Sequence, residues 1–398
     1  MKLTGVSRRA LLLAPLALRP LRAQADGSLK ITKFVIRMAQ VRVAWRTLVM
    51  LEIHTDGGLI GLGEATLPLR PKIVAEALRW LEPLLAGRDP AGPEAHWHRL
   101  YYDAARWRLG GALTTALSAV DIALWDLEGK RLGVPIWRLL GGRLRTHLRA
   151  YYTHWDAGLK GDFSPDAFAR RAEQTRKAGW TAVKWAVIGN TPRERINHTV
   201  AALKAIRGAV GNELDVGLEL AERFTVRTAL ELANEVAPYK PMFIEEPIWR
   251  ERWDAFERLA DRSPVPIATG EGYLSRNEFK PLLDAGAVEI VQPDVVHCGG
   301  ITELRKIAAM AETYDVEIAP HSPYGPVGHV SSMHAVAACR NFFIHEWEAD
   351  DDELYKSVTG GRFPTINSQG EVPIPDGPGL GIELDSAELE RRLPPVFG

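Results

Sequence analysis

Six ionisable residues recur through the second half of the chain at nearly constant intervals: Glu219, Glu245, Glu271, Asp294, His321 and Glu346, separated by 23 to 27 residues. Five of them close short apolar runs, and Glu346 lies inside an eighth run, FFIHEW. The run MFIEE ends in two adjacent glutamates and is followed by a proline. Carboxylates side by side at the end of a buried strand repel each other and resist the loss of water. A repeat of one strand plus one helix returns such groups to the same level of a parallel β/α barrel, where all C-terminal strand ends open on one face. Each glutamate alone reads as a solvated strand-end acid, but three in register do not. Glu219, Glu245 and Glu271, once converged, need either protons or a cation. An all-oxygen donor set suits Mg²⁺, with Mn²⁺ next, whereas zinc more often recruits His or Cys. Glu246 is expected to face the other way and to take a hydrogen-bonding role.

Asp294 and His321 close adjacent runs. A carboxylate bonded to one imidazole nitrogen fixes the tautomer and makes the other nitrogen more basic, so His321 is a candidate general base. Lys184 lies inside AVKWAVI, where a cation among Val, Trp and Ala needs a partner. Pointing into a barrel mouth it would pair with a substrate carboxylate; the competing reading is a lysine snorkelling outward. His329, His334 and His345 read as packing residues.

The elements that would position these groups are legible in the pattern. Leu29 to about Ile60 is strand-like, with a hairpin at Asp56-Gly57-Gly58. Helical periodicity follows from about Pro71 to Leu140 and stops near Gly133 and Pro135. After Gly142, eight apolar runs alternate with amphipathic helices, from LRAYYTH to FFIHEW. That rhythm predicts a parallel sheet closed into a barrel. The expected layout is a leader at 1–25, an α+β capping domain at 29–142, a barrel at 143–350, and a Gly/Pro-rich tail at 351–398 that packs back on the cap.

Composition bounds the rest. The chain has 398 residues, 46% hydrophobic, and a formal net charge of -1, which offers no basic stripe for a nucleic acid. The leader carries Arg8-Arg9, a short apolar run from Ala10 to Leu18, and AQA at 23–25. It is too short to span a bilayer and resembles a twin-arginine export signal, predicting a periplasmic or secreted protein without a membrane anchor after cleavage. A mis-called start would leave the protein cytoplasmic. Cys298 and Cys339 read as two buried thiols rather than a disulfide framework.

The motifs SAVDIALWDLEGKRLGVPIWRLLGG, FIEEP, GE, QPD, GGITE, APHSPYGP and PGLG, in this order, resemble the mandelate racemase subgroup of the enolase superfamily. From Val216 to about Trp347 the likeness is strongest to galactonate-type sugar-acid dehydratases. The resemblance implies a modified TIM barrel, (β/α)7β, under an α+β cap. It implies Mg²⁺ on Glu219, Glu245 and Glu271, a His321–Asp294 dyad, Glu346 bonded to the substrate carboxylate, and Lys184 as the first lysine of the family's KxK strand. It also implies a small carboxylate substrate and a homo-oligomer. The superfamily's shared chemistry is removal of the proton α to a carboxylate, giving an enediolate.

The departures are informative. Ala186 replaces the second KxK lysine, which racemases of the subgroup use as a base. Glu219 stands where galactonate-type enzymes have Asp. Ala221 stands where they carry the histidine that protonates the leaving hydroxyl. One clear base remains, His321, which could remove the α-proton and return it to a β-hydroxyl departing on the same face; this suits dehydration of an aldonate-type acid to a 2-keto-3-deoxy acid. Glu222, Arg223, His154 and Tyr324 are candidates for the missing acid. The alternatives are an epimerase with Lys184 as second base, or a barrel that binds a sugar acid without turnover. Specificity is expected from the cap segment Met38–Thr47, where Trp45 and Arg46 could close over the substrate or equally lie on the surface, and from the region around Glu64.

Overall fold

The computed structural model describes residues 29–41, 46–103 and 110–392. The leader, with Arg8, Arg9 and its AQA site, and Trp45 of the cap segment lie outside these residues. No helix among the described residues is long and apolar enough to cross a membrane.

The first described part is an antiparallel sheet, β1 (Ile31–Gln40), β2 (Thr47–Thr55) and β3 (Ile60–Glu64), in that order. Gly58 takes the positive φ, 80°, of the turn between β2 and β3. Four helices follow: α1 (Pro71–Leu85), α2 (Pro93–Asp103), α3 (Gly111–Leu132) and the single turn α4 (Ile136–Leu139). Every residue of α3 from Thr114 to Leu124 is buried, so this stretch has no solvent face. Gly133, left-handed at φ 68°, stops it. α3 lies on β3 through two glycines two residues apart, Gly61 and Gly63. A Cβ at these positions would stand 2.2 and 2.1 Å from the carbonyl oxygens of Ala123 and Ala119.

The eight apolar runs are eight parallel strands: β4 (His147–Tyr152), β5 (Ala182–Ala186), β6 (Asp215–Glu219), β7 (Phe243–Glu245), β8 (Ile267–Thr269), β9 (Ile290–Val291), β10 (Glu317–Ile318) and β11 (His345–Trp347). They run in the order β10-β9-β8-β7-β6-β5-β4-β11. A parallel bridge from Ile318 to Phe342, just before β11, closes the ring. One helix follows each of the first seven strands: α5 (Pro165–Lys177), α6 (Pro192–Val210), α7 (Val226–Val236), α8 (Trp253–Ala260), α9 (Arg276–Asp284), α10 (Gly300–Glu312) and α11 (Pro326–Val336). This is the (β/α)7β arrangement. Local chemistry starts several helices: Ser164, Thr191 and Thr225 each accept a hydrogen bond from a first-turn amide. Inside the ring, Tyr151, Phe243, Ile290 and Ile344 pack with small residues. A larger apolar layer lies between the strands and the surrounding helices.

Buried acids of α3 join the parts. Asp121 accepts the Thr302 amide (2.9 Å) and hydroxyl (2.6 Å) at the start of α10. Asp126 accepts the amides of Leu62 on β3 (2.9 Å) and of Leu380 in the tail (2.8 Å), and pairs with Lys130 at 2.8 Å. The tail also adds β12 (Glu371–Pro373) antiparallel to β4, and sends Ser386 to Glu52 at 3.0 Å. It therefore touches barrel and cap alike.

The α3–β3 contact yields a stability prediction. Gly63→Ala should cost about 1–3 kcal/mol, because the added methyl meets backbone that cannot swing away. Gly208→Ala, exposed in α6 with nothing near the new methyl, should instead stabilise by up to about 1 kcal/mol. Denaturant unfolding of both variants reads the opposite signs; an unchanged midpoint in Gly63→Ala would show that the helix shifts freely.

Candidate active site

The cleft at the C-terminal mouth of the barrel has a volume of about 370 Å³. Glu219 and Glu245 are the last residues of β6 and β7 and are direct partners across the parallel pair. Glu271 lies two residues past β8, Asp294 three past β9 and His321 three past β10, while Glu346 is the middle residue of β11. One carboxylate oxygen from each of Glu219, Glu245 and Glu271 lies within 4.8 Å of the others.

Lys184, in the middle of β5, is 5% exposed and does not snorkel outward. Its ammonium bonds Glu245 and lies 3.1 Å from Glu346. Burial works against that charge, but the two carboxylates outweigh it and hold Lys184 well above the usual lysine range. Burial likewise opposes ionisation of Glu346, and Lys184 and His321 overcome it, keeping this carboxyl well below its usual range. Glu346 also accepts the Ser322 amide at 2.7 Å.

The trio behaves differently. Burial, reinforced by the neighbouring Glu245, pushes Glu219 well above the usual range. Burial also raises Glu271, although His321 pulls against it. Three oxygen donors that cannot all ionise bare form a fitting set for a hard divalent cation, which would take the place of the missing protons. Gln292 fixes Glu245 from the side, donating to its second oxygen at 2.6 Å.

His321 Nδ1 lies 2.6 Å from Asp294 Oδ2, and its Nε2 is 3.1 Å from Glu271. Burial opposes its charge, but Glu271, Glu346 and the Asp294 hydrogen bond raise the imidazole to about 10. Asp294 is held in turn by the Val296 amide at 2.7 Å. Tyr324 stands edge-on to the His321 ring at 5.5 Å between centroids.

Several expectations need correction. Glu246 does not face away from the cleft. Its φ of 42° breaks the strand alternation and brings it to the cleft wall, where it accepts from Thr269 (2.8 Å) and the Gly270 amide (2.9 Å). Arg46 does not close over the cleft: it is 1% exposed and bonds Asp351 and the Pro323 carbonyl. Glu64 is fully buried and holds the Thr66 hydroxyl and the Gly328 amide, both at 2.8 Å; Pro68 is the residue of that region that reaches the cleft. Of the four candidates for the missing acid, Glu222, His154 and Tyr324 line the cleft. Thr153, Arg250 and Gln292 were not singled out from the sequence. His329, His334 and His345 are buried, and the free thiols Cys298 and Cys339 are buried too.

Known proteins share this architecture. Residues 29–141 match the mandelate racemase / muconate lactonizing enzyme N-terminal domain, and residues 167–388 match the family described as enolase C-terminal domain-like. The D-galactonate dehydratase of Xanthomonas axonopodis pv. citri (strain 306) is 35% identical over 370 residues, covering 90% of this chain and 94% of that one. That of Pectobacterium atrosepticum is 36% identical over 361 residues, covering 86% and 90%. The crystal structure of a mandelate racemase/muconate lactonizing enzyme from Sulfitobacter sp. superposes with a TM-score of 0.85 at 30% identity, covering 93% of this chain and 96% of that one. With both domain families matched in order across the described fold, the chain belongs to the mandelate racemase/muconate lactonizing enzyme family of the enolase superfamily.

Proposed function

We propose that the protein is a Mg²⁺-dependent hydro-lyase of an aldonate-type sugar acid, releasing water to form a 2-keto-3-deoxy acid. The observation that carries this reading is the His321–Asp294 pair, 2.6 Å apart, in one cleft with the three carboxylates and with Ala186 and Ala221 where further bases would stand. The dehydratase names of the relatives point the same way.

Glu219, Glu245 and Glu271 would hold the metal, whose Lewis acidity polarises the substrate carboxylate when bound. The chain's own residues do the rest. Asp294 accepts the Nδ1 proton of His321, so Nε2, once it has given up its own proton, presents a lone pair to the α-carbon. His321 takes the α-proton, and the freed electron pair moves into the carboxylate. Lys184, already beside Glu245 and Glu346, offsets the charge that develops there. Glu346 would bond the substrate carboxylate only when it carries a proton, which it would then donate; ionised, it accepts the Ser322 amide and holds Lys184.

The direct experiment is a screen of acid sugars, D-galactonate first, for keto-acid formation with Mg²⁺ and with a chelator. At least one aldonate should yield a keto acid with the metal and none without it. An α-proton exchanged into D₂O on some acid, with no keto acid from any, would replace this reading with an epimerase.

A further inference from the structure

We propose that His154 is the general acid that protonates the departing β-hydroxyl, with Glu348 as its positioning residue; this assignment rests on the dehydratase reading above. His154 follows β4 and lines the same cleft as His321. Its Nδ1 lies 2.7 Å from Glu348 Oε2, and Glu348 is 3% exposed. The pair repeats the His321–Asp294 arrangement, a ring on the cleft wall backed by a buried carboxylate. The two histidines flank one strand: His321 approaches Glu346 on β11 (4.0 Å), and His154 meets Glu348 one residue past its end.

The backbone supports the assignment. His154 adopts φ 48°, a left-handed conformation that costs energy for a residue with a Cβ and gathers at functional sites. Ala221, Glu222 and Glu246, which line the same cleft, share it, at 49°, 58° and 42°. The strand ends are thus bent so that His154, Glu222 and Glu246 reach the cleft.

The other candidates are committed elsewhere. Glu222 accepts the Arg250 amide at 3.3 Å and faces its guanidinium at 3.6 Å. Burial drives the Tyr324 phenol well above its usual range, making it a weaker acid, and its ring stands against His321. Arg223 does not line the cleft among the described residues and carries a guanidinium that keeps its proton.

The step balances. His321 removes the α-proton and the electron pair enters the carboxylate. That pair returns to form the bond between the α- and β-carbons as the β-carbon–oxygen bond breaks. The imidazolium of His154, through the nitrogen not engaged by Glu348, gives its proton to the leaving oxygen, and water departs. The enol tautomerises to the 2-keto-3-deoxy acid; His321 then loses a proton to solvent and His154 regains one.

The test uses a six-carbon aldonate and its 3-deoxy-3-fluoro analogue, with wild type, His154→Asn and Glu348→Gln. Asn tolerates the left-handed conformation, and His154 is 44% exposed, so the fold should stand. In His154→Asn, dehydration should fall about 10²–10⁴-fold, while α-proton exchange into D₂O stays within about threefold of wild type. Fluoride needs no proton to leave, so its elimination from the analogue should be nearly unimpaired. Glu348→Gln should slow dehydration while leaving fluoride release from the analogue nearly unimpaired, because it loosens only the ring that Glu348 orients. Unchanged dehydration in His154→Asn overturns the assignment. Loss of exchange and of fluoride release together in that variant also overturns it, and makes His154 a substrate-binding residue. A wild type that shows neither exchange nor elimination overturns the dehydratase reading, and this assignment with it.

Discussion

The His321→Asn variant should lose α-proton exchange and dehydration together, by about 10²–10⁴-fold or more, since both wait on the same proton removal. Asparagine can still meet Asp294, so the cleft wall stays in place, but no nitrogen lone pair faces the α-carbon. Asp294→Asn should be impaired as well, because the carboxylate 2.6 Å from Nδ1 sets the tautomer. Lys184→Met should behave differently: proton exchange is slowed through lost charge stabilisation rather than lost basicity. Exchange in D₂O followed by NMR separates these cases. Retained exchange in His321→Asn with its loss in Lys184→Met would move the base to Lys184 and favour an epimerase.

The second large effect concerns the carboxylate trio. Chelation should abolish turnover, and calorimetry should find about one Mg²⁺ per chain in wild type, lost when Glu219, Glu245 and Glu271 are all Gln. Glu219→Gln alone gives a sharper sign. Burial beside Glu245 holds Glu219 well above its usual range, so without metal folding must either protonate it or keep a desolvated charge, and it makes no direct ion pair with Lys184, which bonds Glu245 and Glu346. In chelator, a neutral amide at this position removes that cost and should stabilise the protein by about 0.5–2 kcal/mol, raising the melting temperature. In saturating Mg²⁺ the order should reverse, because the wild type gains ligand-linked stability that the variant lacks. A variant less stable than wild type in both conditions would mean that the trio is not strained without its ion.

The barrel was readable because each of its strands is a continuous apolar run of fixed spacing, and a buried parallel strand writes that pattern directly. The register of Glu219, Glu245 and Glu271 followed from the same spacing. What stayed hidden depends on backbone angles and on distant partners. Nothing in the letters around Glu246 or His154 announces φ values of 42° and 48°, yet those angles decide which way each side chain turns. Arg46 looked like a lid residue because its partners, Pro323, Glu348 and Asp351, lie about 300 positions away in the chain. The pairing of His154 with Glu348 spans 194 positions for the same reason. Ionic ties of this kind have no periodicity to read.

Asp126 has a consequence for how the protein is made. Its carboxylate is completed by the amide of Leu380, 254 residues later, with Gly379 left-handed beside it so that the two backbones can meet. At about 5–20 residues per second, a ribosome needs about 13 to 50 seconds to cover that distance. Throughout that interval Asp126 lacks one of its partners and α3 lacks its full cover. A chain cut before Gly379 should therefore leave Asp126 without the Leu380 amide and its cap more open to proteases, which limited proteolysis would read.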